Sequence, residues 1–182
     1  MDEQSTSDAI VELLQALQQF RQVPREDLVE LVAGTRALRF EAETEVFRQG
    51  QPGLTALLVL TGKLEASVTS GGREMSVGHC HPGEIVGESA LLGRESIRNA
   101  TLRASEGSIC LVLTPGLLDR RGNRAVAVLE QHLVSTLARR VRRTNLAIKQ
   151  VWRKDPVADV AAHLTPAPTL RERLRAMFGG LS

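Results

Sequence analysis

Gly87-Glu88-Ser89-Ala90-Leu91-Leu92-Gly93-Arg94-Glu95-Ser96-Ile97-Arg98-Asn99-Ala100 opens beside an acid and nearly closes on an arginine. Gly87 lets a backbone approach a ligand closely, and residues 88 to 92 read as a single helical turn whose free N–H groups favour an anion. A guanidinium matches a phosphate bidentately, which gives Arg98 that part of a ligand. An ionised carboxylate only accepts hydrogen bonds, so the partner of Glu88 is a hydroxyl. The two groups together describe a pocket for a ribose phosphate. The competing reading is a structural ion pair at the end of a strand, but such a pair needs neither the flanking glycine nor the intervening turn.

Working outward, the chain from about Leu38 to Leu113 alternates short apolar runs with glycines. The expected strands are Leu38 to Ala42, Thr44 to Arg48, Ala56 to Leu60, Lys63 to Val68, Glu74 to Cys80, Arg98 to Arg103 and Ile109 to Leu113. Ser70-Gly71-Gly72 is a hairpin turn, and Gly62 marks a second reversal. Before this region, Ser7 or Asp8 is expected to cap a helix with Ile10, Leu13, Leu14, Leu17 and Phe20 on one face. A second helix starts at Pro24-Arg-Glu-Asp and carries Leu28, Leu31 and Val32. After the strands, Thr114-Pro115 opens a helix with a hydroxyl cap and proline at its first position. The chain pauses at Arg121-Gly122-Asn123. From Arg124 to about Trp152 there is neither glycine nor proline, and Val134, Leu137, Val141, Thr144, Ile148 and Val151 recur at steps of three and four. That periodicity reads as a coiled-coil seam and a homodimer through residues 126–151.

At this spacing, Gly87 to Ala100 resembles the phosphate-binding cassette of cyclic nucleotide-binding domains, particularly those of the bacterial catabolite activator type. The resemblance runs from residue 20 to about 150. Phe40, Glu45 to Gly50, Gly62-Lys-Leu and Gly72-Arg-Glu-Met resemble successive strands and turns of that family's β-roll, and Leu137-Ala-Arg-Arg-Val with Thr144 its long dimer helix. The implied fold is α+β, a jelly-roll-like β-roll flanked by N-terminal helices and a long C-terminal dimerisation helix. The corresponding division is 1–22 for the N-terminal helix, 23–121 for the β-roll with its cassette at 87–100, 122–153 for the dimer helix, and 154–182 for a linker and short amphipathic tail. The resemblance implies a receptor for cAMP or cGMP. Glu88 would hold the ribose 2′-hydroxyl and Arg98 the cyclic phosphate, assisted by backbone N–H groups near Gly87, Ser89 and Asn99. Asn99 stands where the family usually has Ser, Thr or Ala, which leaves the base open. A threonine at the place of Thr144 touches the purine in these regulators, and Asn145 matches a small polar residue reaching in from the partner subunit. Read without the resemblance, Thr144 is a polar residue that sets helix register.

Composition agrees with one domain and appendages. The chain has 182 residues, 42% apolar, with a net charge of +2, so whole-chain charge does not announce a nucleic-acid binder. Arg139, Arg140, Arg142, Arg143, Lys149, Arg153 and Lys154 form a basic stripe, read as a solvated face, with weak binding to a phosphate backbone as the alternative. Cys80 and Cys110 are expected as small buried thiols rather than a redox pair. His79 and His81 share a strand face but have no third ligand at metal spacing, so neither a metal nor a cofactor is expected. No arrangement for nucleophilic, acid–base or phosphoryl-transfer catalysis stands out, and no enzyme activity is expected.

Thirty residues follow Trp152, fewer than the roughly 40 that build a core unaided. Sequence-specific DNA recognition by a helix-turn-helix module is therefore not expected. No cleavable leader or membrane-crossing run is read, which places the expected protein in the cytoplasm. Leu170, Leu174, Met177 and Phe178, edged by Arg171, Arg173 and Arg175, give residues 170–178 an apolar stripe for a protein partner, for an anionic membrane surface as the less favoured occupant, or for folding back on the domain. The expected protein is a stand-alone homodimeric cyclic nucleotide receptor that signals through protein contacts. The alternatives are a nucleotide-free scaffold of the same fold and a weak nucleic-acid binder.

Overall fold

The computed structural model describes residues 3–92 and 97–154. It divides into two compact units, Met1–Ala138 and Arg139–Ser182. Helix α1 (Glu3–Ala16) leads through a 3-10 turn (Gln18–Phe20) to α2 (Arg25–Ala33). Eight strands follow, β1 (Ala37–Phe40), β2 (Glu45–Phe47), β3 (Ala56–Thr61), β4 (Leu64–Ser70), β5 (Arg73–Cys80), β6 (Ile85–Val86), β7 (Thr101–Ala104) and β8 (Ser108–Leu113). The single turn α3 (Ser89–Leu92) lies between β6 and β7, and α4 (Pro115–Leu118) and α5 (Arg124–Lys154) follow β8.

The strands form two four-stranded antiparallel sheets, in the orders β1-β8-β3-β6 and β2-β7-β4-β5. The first sheet is covered on both faces, which explains why β3 reads as the unbroken run Ala-Leu-Leu-Val-Leu rather than as an alternation. Leu57 and Val59 join Leu64, Val86, Leu102, Ala104, Cys110 and Val112 in one apolar cluster drawn from both sheets. Ala56, Leu58 and Leu60 join the other, with Leu14, Phe20, Leu28 and Leu31 of the N-terminal segment and Ala125, Val126, Leu129 and Leu133 of α5. The N-terminal helix and the first turns of α5 thus share one core with the strands. The α+β β-roll expected from the sequence is the observed fold.

Local signals decide several boundaries. Gly71 and Gly72 both have positive φ, 58° and 77°, and close the β4–β5 hairpin where Ser70 pairs with Arg73. The Thr114 hydroxyl accepts from the Leu117 N–H at 3.2 Å, capping α4 ahead of Pro115. Asn123 does the same for α5, its Oδ1 accepting from the Val126 N–H at 3.1 Å.

Two expectations, the cap of α1 and the strand at Arg98, need correction. Ser7 and Asp8 lie inside α1 rather than capping it, because no breaker precedes them; Asp8 instead pairs with Arg25 at 3.2 Å. The two-residue strand β6 has too little pattern to be read from sequence. Arg98 is not in a strand: β7 begins only at Thr101, since Arg98 pairs instead with the loop after β2. Leu137 packs partly against the domain's own core, whereas Val134 and Val141 on the expected seam are exposed. The side chains of Thr144, Ile148 and Val151, and the whole of residues 155–182 with the tail at 170–178, lie outside the described residues. No helix among the described residues is long and apolar enough to cross a membrane.

Candidate functional site

Strand β6 pairs with β3 through Leu57↔Val86 and Leu58↔Ile85, which carries the chain to Gly87. There φ is 75°, the left-handed region open to glycine, and the strand ends. Glu88 follows and is buried, only 5% exposed. The turn α3 then closes through Ala90 N–H to the Gly87 carbonyl at 3.1 Å and Leu91 N–H to the Glu88 carbonyl at 3.0 Å. These two N–H groups are used within the turn. Residues 93–96 of the cassette lie outside the described residues.

The chain re-enters at Ile97, bridged to Pro52. Arg98 N–H donates to the Gln51 carbonyl and Gly50 N–H to the Arg98 carbonyl, each at 2.8 Å. This short ladder fixes the Arg98 backbone, and its side chain is fixed as well. Nη2 donates to the Thr55 carbonyl at 2.7 Å, Nη1 to the Gly87 carbonyl at 3.4 Å, and the guanidinium carbon lies 3.6 Å from the centre of the Phe47 ring. Arg98 is 7% exposed. Its burial lowers the guanidinium's proton affinity, and the negative charge of Glu88 opposes that shift. A guanidinium nevertheless keeps its charge at any physiological pH.

The structure therefore brings Gly87, Glu88 and Arg98 together. Ser89 is half-buried at the start of α3, and Asn99, just past Arg98, is exposed. Thr144 and Asn145 are helical residues of α5 in the second compact unit, and Asn145 is exposed. Chemically, the first unit offers a fixed cation with N–H groups beyond those given to carbonyls, next to a buried carboxylate that can accept from hydroxyls. Residue-by-residue reading of the sequence missed Gly53, Thr55 and the role of Phe47. Gly53 leaves no room for a side chain, since a Cβ there would overlap the Arg98 guanidinium. Of these, only Phe47 fell within a stretch, Glu45 to Gly50, that the resemblance had picked out.

Cys80 and Cys110 are buried thiols, and burial, followed by the nearness of Cys80, pushes Cys110 up to about 12. The His79 and His81 rings meet edge-on at 6.5 Å, and no group of three or more metal-ligating side chains occurs among the described residues. Arg139 and Arg142 of the basic stripe are exposed.

Comparison with known proteins agrees with this geometry. Residues 37–120 match the family model described as cyclic nucleotide-binding domain. The crystal structure of the N-terminal domain of a transcriptional regulator from Streptomyces coelicolor A3(2) is 30% identical, with a TM-score of 0.54 over 75% of this chain and 94% of that one. Catabolite activator protein from Thermus thermophilus is 27% identical, with a TM-score of 0.61 over 73% of this chain and 62% of that one. Acetyltransferase Pat of Mycolicibacterium smegmatis is 32% identical over 117 residues, 59% of this chain. The match spans only 35% of that acetyltransferase's length. With a matching family model, a β-roll and a cassette in which Gly87, Glu88 and Arg98 meet, residues 37–120 belong to the cyclic nucleotide-binding domain family.

Proposed function

We propose that this chain is a cyclic nucleotide receptor that takes cAMP or cGMP at Gly87, Glu88 and Arg98. The observation that carries the reading is the buried Arg98 guanidinium, fixed at backbone and side chain beside the buried Glu88. Burying both charges is costly in a site that serves only packing. A cyclic monoester presents one anionic phosphate beside one free 2′-hydroxyl, and the two side chains match those groups in kind. In this reading Arg98 grips the phosphate, Glu88 accepts from the 2′-hydroxyl, and Ser89 and Asn99 add backbone donors.

The receptor works as a homodimer through residues 126–151, with Thr144 and Asn145 capping the base. Support for this part is the seam periodicity and the exposure of Val134 and Val141. It is a regulatory rather than a catalytic protein, and its output is contact with another protein, with residues 170–178 as the candidate surface. A ligand that touches the dimer helix favours one helix arrangement over another, which is how binding becomes a signal.

Isothermal titration with cAMP, cGMP and a plain 5′-monophosphate tests the reading. Saturable binding of a cyclic nucleotide, much tighter than of the 5′-monophosphate, is expected. Absence of binding by both cyclic nucleotides would leave the scaffold reading instead.

A further inference from the structure

Phe47 lies forty residues upstream of the cassette, on the second sheet, yet its ring face covers the Arg98 guanidinium at 3.6 Å. Two glycines bound the same guanidinium. A Cβ on Gly87 would lie 2.5 Å from Nη1 and 3.1 Å from the Phe47 ring, and a Cβ on Gly53 would overlap the guanidinium itself. Two separate segments, the loop between β2 and β3 and the turn after β6, thus leave room for one cation to lie against one aromatic face. The edge of that cation is tied to the carbonyls of Thr55 and Gly87.

We infer that Phe47 is a positioning residue for anion recognition, holding the plane of the Arg98 guanidinium so that its remaining N–H groups present a fixed fork to the ligand phosphate. The inference rests on the reading of this site as a cyclic nucleotide pocket and deepens it. An aromatic face attracts a guanidinium through its quadrupole, and the attraction is stronger where water is excluded. The carbonyls fix where the fork lies, while the ring fixes its tilt. An arginine already held in its bound orientation loses less rotamer freedom when phosphate arrives. A leucine at position 47 would fill similar space in the apolar cluster whose other partly buried members are Leu38, Phe40, Val46 and Ala66, but would offer no π face.

The test uses the full chain and the variants Phe47→Leu, Phe47→Tyr and Phe47→Trp, with cAMP and cGMP as titrants. Phe47→Leu is expected to weaken cyclic nucleotide binding by about fivefold or more, with Phe47→Tyr near wild type. Thermal unfolding of each variant separates loss of packing from loss of orientation, because a purely structural role would lower Tm and affinity together. A second readout needs no ligand. The Arg98 Nε–H proton resonance in the free protein should carry a ring-current shift that Phe47→Leu abolishes and Phe47→Tyr keeps. Should wild-type protein bind neither nucleotide, the receptor reading falls. Should wild type bind and Phe47→Leu bind equally well, with the Arg98 resonance unmoved, the receptor reading stands and this inference is overturned.

Discussion

Arg98 Nη2 donates to the backbone carbonyl of Thr55 at 2.7 Å, joining the end of the cassette to a residue 43 positions earlier. The acceptor is a main-chain atom, so no side-chain substitution at Thr55 removes it, and the tie depends on Arg98 alone. Arg98→Ala is expected to weaken cyclic nucleotide binding at least about tenfold, since a charge-assisted hydrogen bond contributes about 1.5 to 3 kcal/mol. Arg98→Lys should also be impaired, because an ammonium cannot reach the Thr55 and Gly87 carbonyls while presenting a planar fork to phosphate. Calorimetric titration checks both. Unchanged affinity in Arg98→Ala would remove the assignment.

Gly53 and Gly87 crowd the same guanidinium but should respond differently to alanine. Gly87 has φ of 75°, where a side chain strains the backbone, and its Cβ would press on Nη1. Gly87→Ala should therefore lower stability by about 1 kcal/mol or more as well as affinity. Gly53 has no positive φ, so Gly53→Ala adds no backbone strain and should cost less stability than Gly87→Ala, while reducing nucleotide affinity by displacing Arg98. Urea unfolding beside titration distinguishes the two. Equal stability losses at both positions would show that backbone strain is not what separates them.

Much of the frame was legible because its signals are local. Gly71-Gly72, Thr114-Pro115 and the apolar run of β3 each announce a turn, a cap or a doubly covered strand from a few adjacent residues. Glu88 and Arg98 were legible through the order of motifs that resembles a known cassette. Phe47, Gly53 and Thr55 were not, because their role arises only when the loop after β2 comes to lie against Arg98. Strand β6 was lost for a different reason, since two residues cannot display an alternation. Leu137, which packs partly against its own core, is ambiguous in sequence because three-to-four spacing cannot tell a helix's own core from a partner's surface.

That last distinction bears on the proposed homodimer. Leu137 supports the core of its own unit, so a charge there risks unfolding rather than dissociation. Val134 and Val141, seven residues apart on α5, are 66% and 60% exposed and are the better probes. Val134→Glu combined with Val141→Glu should yield folded monomers in sedimentation with the circular dichroism of the wild type. A wild type that is monomeric at micromolar concentration would overturn the dimer.

Asn123 should be a point of stability at the start of α5. Its Nδ2 donates at 3.0 Å both to the Asp27 carbonyl and to Glu30 Oε2, while its Oδ1 caps Val126. One buried side chain thus closes the helix and ties it to α2. Asn123→Ala is expected to cost about 1 to 2 kcal/mol in urea unfolding. Asn123→Asp keeps the cap but loses the Nδ2 donor and sets a carboxylate against Glu30, so it should remain destabilised. A neutral effect of both substitutions would mean that water replaces these contacts at no loss.

The Cys110 thiol supplies a pH dependence with a definite sign. Burial, with a further contribution from Cys80, raises it from 9.0 to about 12. Below 9.0 the folded and unfolded chains both hold this proton, and the thiol contributes no slope. Between those values the unfolded chain releases the proton while the folded chain keeps it, so the unfolded state binds fewer protons and stability falls as pH rises. The slope from this group is at most about 1.4 kcal/mol per pH unit and vanishes again above the folded value. The chain contains no tyrosine, so phenol ionisation does not obscure this range. Cys110→Ala opens a small cavity and lowers stability at every pH, which makes the slope rather than the absolute value the quantity to compare. Urea midpoints at intervals from pH 8 to 11 should show a shallower decline in Cys110→Ala than in wild type. The same burial should keep Cys110 from reacting with an alkylating reagent at pH 8 until urea exposes it, since the thiolate is the nucleophile. Parallel slopes in the two proteins, or rapid alkylation of native Cys110, would show that the thiol ionises as freely in the folded chain as in the unfolded one.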